Sequence, residues 1–142
     1  MSSRLKLALP VMLIAVALGL IACGGDDGGD STSEAPAVAT PEEAITEVSS
    51  TQDGLATALD TYKSGDATAA ADQASETYLE HFEIVEGPLE EVDSELTEEL
   101  EEQIREDLVA SIEAGDPVAD VSKLVDEIDT GLDQATSVLE GS

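Results

Sequence analysis

Against 33 Asp and Glu the chain of 142 residues sets only 5 Lys and Arg, a net charge of −28. That balance excludes nucleic acid as a partner, since binding it needs cationic groups to replace phosphate counterions, and the length is that of one domain. A single Cys excludes a disulfide framework or a paired-thiol redox site, and with no Trp and one Phe the core must be built from Leu, Val, Ile and Ala. A field of this sign concentrates cations around the molecule. The same charge also serves solubility, or a salty medium in which repulsion is screened, and both meanings stay open.

Arg4 and Lys6 precede an uncharged run from Leu7 to Ala22. A basic start and an apolar stretch too short for a span of about 20 residues read as a signal peptide over residues 1–22. The run ends Leu20-Ile21-Ala22-Cys23, which resembles the lipobox of bacterial lipoproteins. The resemblance implies cleavage after Ala22, lipidation of Cys23 and a mature protein held on the extracytoplasmic face of the cell membrane. Two or more acyl chains anchor stably where one anchors only marginally. Gly24, not Asp, follows the Cys, so one common inner-membrane retention signal is absent. Arg4 and Lys6 leave with the signal peptide, which makes the mature chain more acidic still.

Residues 23–41 are rich in Gly, Ser, Asp and Pro, lack an apolar period and read as a flexible acidic tether. Chain statistics of about 5–6 Å × √n give such a segment a mean span of roughly 23 Å, enough to lift a small domain clear of lipid headgroups. Asp26, Asp27 and Asp30 lack the ligand spacing and closing Glu of a calcium loop.

Four helices fill residues 42–142. Thr40-Pro41-Glu42-Glu43 is a helix start: a capping Thr, Pro in the first helical position and acids in the first turn. Ile45, Val48, Leu55, Leu59 and Tyr62 follow at helical spacing with Gln52 in one apolar slot. Gly54 weakens this helix by about 1 kcal/mol relative to Ala, and Ser64-Gly65 ends it. Asp66 caps a second helix whose stripe runs Ala67, Ala70, Ala71, Ala74, Tyr78, Phe82 and Val85, small at first and bulky later. Neighbours therefore approach closely near residue 70 and splay near residue 82.

Gly87-Pro88 admits two readings. Either the chain turns at Gly87 and Pro88 opens the third helix, or the second helix continues to about Val92 and Asp93 caps the third. The latter is preferred, because it spares Asp93 a place in the Leu89-Leu96-Leu100 stripe. Leu96, Leu100, Ile104, Leu108 and Ile112 then repeat every four residues, a stripe that drifts by about 40° per step. Gly115 stops this helix. Asp116-Pro117 caps and opens the last, whose Val118, Val121, Val125, Ile128, Leu132, Ala135 and Leu139 repeat cleanly with Leu124 alongside. Short links make neighbours antiparallel, so the expected fold is an all-α, up-down-up-down four-helix bundle.

The rare residues gather between Tyr62 and Leu89, which hold His81, Phe82 and both Tyr residues. No nucleophile–base pair, HExxH or Gly-rich phosphate loop occurs, so no enzyme is expected. The remaining chemistry is carboxylate. At 100° per residue Glu76, Glu80 and Glu83 share one face away from the apolar side, with Glu86 a sixth of a turn beyond Glu83. That row is either a solvated face or half of a metal site. His81 falls at the edge of the apolar side, either as a partly buried, hydrogen-bonded His or as the one nitrogen ligand, joined by Glu99 and Glu102 of the third helix. Hard oxygen donors with one imidazole suit iron, manganese or calcium.

Tyr62-x-x-Gly65-Asp66, Ala70-x-x-x-Ala74 and Tyr78-Leu79-x-x-Phe82-Glu83-x-Val85-Glu86, followed by Asp93-x-x-Leu96 and Leu108-x-x-x-Ile112-x-x-Gly115-Asp116, resemble the extracytoplasmic helical domain of the bacterial high-affinity iron permease family. The likeness covers most of residues 44–139. It implies iron as cargo, a role in iron uptake beside a permease, Glu83 and Glu86 as ligands with Glu80 and His81 in support, and Glu102 as the third-helix partner. The permease part with its Arg-Glu-x-x-Glu helices is absent, and Val109 stands where the pattern leads one to expect Arg. The other expectation, from a different class, is a structural or docking lipoprotein whose acids serve solubility or partner contact without metal.

Overall fold

The computed structural model describes residues 39–142, which form an all-α four-helix bundle. The signal peptide, Cys23 and nearly all of the tether lie outside the described residues. Helix α1 is Pro41–Lys63. Helix α2 runs over residues 67–90 as Ala67–Thr77, a π-helical segment Tyr78–Phe82, and Glu83–Glu90. Helix α3 covers residues 94–114 as Ser94–Glu102, a second π segment Gln103–Leu108, and Val109–Ala114. Helix α4 is Val118–Glu140. The bundle runs up, down, up, down, with α1 packed along α2 and α4, and α3 closing the ring between them. Among these residues no helix is long and apolar enough to cross a membrane.

The caps follow the sequence. Thr40 and Glu43 form a reciprocal capping box, the Thr40 Oγ1 accepting from the Glu43 amide at 3.3 Å and the Glu43 carboxylate from the Thr40 amide at 2.8 Å. Asp66 accepts from the Ala69 amide, and Asp93 from the Leu96 amide, each at 3.1 Å. Helix α2 therefore passes through Pro88 and Asp93 begins α3, the preferred of the two readings. Gly65 and Gly115 take the left-handed backbone that each turn requires, with φ of 98° and 72°. Asp116 departs from expectation. Its carboxylate accepts from the Ser111 hydroxyl at 2.8 Å instead of capping α4, and its carbonyl receives the Tyr62 hydroxyl at 2.5 Å, which ties the end of α1 to the α3–α4 turn.

The core is the aliphatic one the composition demands, with Phe82, Leu55, Leu89, Leu100, Ile104, Leu108 and Ile128 among its fully buried side chains. Gln52 is not a core residue. It reaches sideways to Asp133 at 3.1 Å, and Thr51 fills the buried slot beside it. Thr51, Thr77 and Thr97 are the buried polar residues, and each hydroxyl donates to the carbonyl four residues back, at 2.8, 2.8 and 2.9 Å. Gly54 is where α1 meets α2 most closely: a Cβ there would stand 2.6 Å from Thr77 Cγ2. Gly131 plays the same part on α4, against Leu100 Cδ2 at 2.7 Å.

Candidate functional site

Both π segments follow from the four-residue repeats. Apolar residues at 70, 74, 78 and 82, and at 96, 100, 104, 108 and 112, would rotate off the core face of an α-helix. A π turn holds one extra residue, so it resets the phase and keeps all of them buried. It also turns the residues beyond it away from where a uniform 100° count places them. Glu86 is the consequence. The wheel sets it near the outward row, but it is half-buried on the α2–α3 side.

There the Tyr78 hydroxyl donates to Glu86 Oε1 at 2.6 Å, and Glu101 Oε1 of α3 lies 3.5 Å from the same oxygen. Arg105, from the π segment of α3, donates to Glu101 at 2.9 Å and holds its guanidinium carbon 5.7 Å from the centre of the Tyr78 ring. The ring packs on Phe82, centroids 5.9 Å apart, so the core fixes the phenol in place. Burial pushes the Glu86 carboxyl above its usual range. The Tyr78 hydrogen bond pulls the other way, and the charges of Glu101 and Glu83 push it further up. Burial, with Glu86 next, lifts the Tyr78 phenol far above its ordinary value, which keeps it a donor. Two carboxylates from different helices thus converge on one phenol oxygen, with a third carboxylate in range and one guanidinium against them.

The other expected residues are placed elsewhere. His81 faces α1, its Nδ1 2.7 Å from Glu47 Oε2, both side chains partly buried. Glu80 and Glu83 are exposed on α2. Glu102 is exposed and lines a shallow hollow of about 310 Å³ with Glu98, Glu101, Arg105 and Glu106. One residue is about 100° of helix, which is why Glu101 and not Glu102 meets Tyr78. Glu99 turns to the α3–α4 seam, so the set of His81 with Glu99 and Glu102 does not assemble. Among the described residues no group of three or more His, Cys, Asp or Glu stands ready to hold a metal ion.

Sequence reading missed Glu101, Glu47 and Arg105. Arg105 lies one helical turn before Val109, the position where the family pattern led one to expect an Arg, and it supplies the cation there. The alternating buried and half-exposed positions at Leu100 and Glu101 carried the only available signal for Glu101. Comparison with family models, with curated proteins and with solved structures finds no match.

Proposed function

We propose that this protein is a lipid-anchored, extracytoplasmic helical bundle that takes up a hard cation, iron foremost, at the α2–α3 seam and assists its uptake beside a permease. The observation that carries the reading is the convergence of Glu86 and Glu101 on the Tyr78 hydroxyl. Carboxylate and phenol oxygens are donors for iron, manganese and similar hard ions. Burial and neighbouring charge disfavour the ionised Glu86, and an arriving cation reverses that penalty. Glu83, exposed and close enough to act on Glu86, is the third carboxylate. Such a site is assembled by its ligand at a cost in side-chain freedom. It therefore suits transient capture and release better than storage. The lipobox supports the anchoring, and the likeness to the permease-family domain supports iron as the cargo.

Anaerobic calorimetric titration of the mature protein with ferrous iron is the test. Saturable binding is expected, weakened at least about tenfold, or ~1.4 kcal/mol, in a Glu86→Gln/Glu101→Gln variant. Equal binding by that variant would remove the site from the seam. Absence of saturable binding would leave the second reading, a structural or docking lipoprotein, which the exposure of Glu80, Glu83 and Glu102 favours.

A further inference from the structure

The other face of α3 holds a feature that the cation site does not use. Two hollows of about 310 and about 400 Å³ adjoin along the α3–α4 seam and share Leu96, Glu99 and Gln134. Their floor is apolar, from Leu96, Leu100 and Val138. Leu100 sits against Gly131, so α4 offers no side chain at that level to fill the seam. The rim is acidic, with exposed Glu95 and Glu99 on α3 and Glu127 on α4, and no Lys or Arg lines either hollow.

We infer that this groove docks a cationic amphipathic helical segment of a partner protein. Apolar side chains of the segment at i, i+3 and i+4 lie on the floor, and Lys or Arg on its flanks meet the rim carboxylates. Residues 95–103 of α3 line the groove, about 12 Å at 1.5 Å per residue, which matches about two turns of a docked helix. Charge selects the occupant. A second copy would bring another net −28 against the same rim. The stretch 24–41 holds Asp26, Asp27, Asp30 and Glu34 and no basic residue, so it is repelled as well. Anionic lipid and nucleic acid carry the same sign as the rim. A cationic segment is instead drawn in by the field and held by paired charges. Lys123 already shows the contact on a small scale, its Nζ 2.6 Å from the Glu127 carboxylate.

Fluorescence anisotropy at physiological ionic strength tests this with a labelled helical peptide of about three turns (~11 residues), Leu along one face and Lys on the flanks. A permuted peptide of the same composition, with no apolar face, is the control. The amphipathic peptide is expected to bind at least about tenfold tighter than the permuted one. A Glu95→Gln/Glu99→Gln variant is expected to lose about tenfold in affinity. An Asp53→Asn/Glu76→Gln variant, with the same charge change at exposed sites on α1 and α2, is expected to lose less than about twofold. Circular dichroism confirms that both variants are folded. Equal binding of the two peptides, equal losses in the two variants, or no binding at all would overturn the inference.

Discussion

Glu86 accepts one short hydrogen bond, from Tyr78, and is otherwise surrounded by unfavourable charge. Burial outweighs that bond and raises its folded-state pKa. Folding then favours the protonated form: the stabilisation is fully present below the ordinary carboxylate value and is lost as pH rises through the raised one. Asp129 on α4 behaves alike, raised by burial and by Asp133 and Asp126. Glutamine at position 86 keeps an acceptor for Tyr78 and removes the charge. The thermal midpoint of Glu86→Gln is therefore expected to exceed that of the parent at pH 7, and the two are expected to converge near pH 4. Melting curves at both pH values check this, and a variant less stable at pH 7 would show that the hydrogen bond outweighs burial. Which carboxylate would be held was only partly legible in sequence. The residues around Tyr78 stood out by rarity, but the choice between Glu101 and Glu102 depends on the rotation of α3, which a stripe drifting by about 40° per step does not fix.

The helices themselves were legible because their signals are local. Thr40, Asp66 and Asp93 announce starts, Gly65 and Gly115 announce stops, and the apolar spacing names the buried face. The π segments were legible only as a symptom, the run of four-residue steps, because relief of that drift is decided by packing between helices. Asp116 reads as a cap by type, but Ser111 and Tyr62 claim it. Gly54 reads as a weakness in α1 and is instead the place where α2 comes close. Alanine there would gain about 1 kcal/mol of helix propensity. Its Cβ would meet the buried Thr77 side chain, and overpacking of this kind costs about 1–3 kcal/mol. Gly54→Ala is thus expected to lower stability in denaturant unfolding, and adding Thr77→Ser, which removes the obstructing methyl, to restore part of it. A Gly54→Ala protein more stable than the parent would contradict the close packing.

At the scale of the molecule, a net charge of −28 makes every face attractive to cations. A cation site must therefore be distinguished from a diffuse ion atmosphere. The seam differs from the rest of the surface in two ways: its carboxylates come from two helices, and the phenol between them is fixed by the core. Where the protein resides was legible too, but from residues 1–23, which lie outside the described structure. Binding at the seam is tested most directly by adding substoichiometric Mn²⁺ to isotope-labelled mature protein and following paramagnetic broadening of its amide resonances. The expected result is broadening that begins around Tyr78, Glu83, Glu86, Glu101 and Arg105 and loses that focus in the Glu86→Gln/Glu101→Gln variant. Broadening spread over the acidic surface in proportion to exposure, or centred elsewhere, would contradict it.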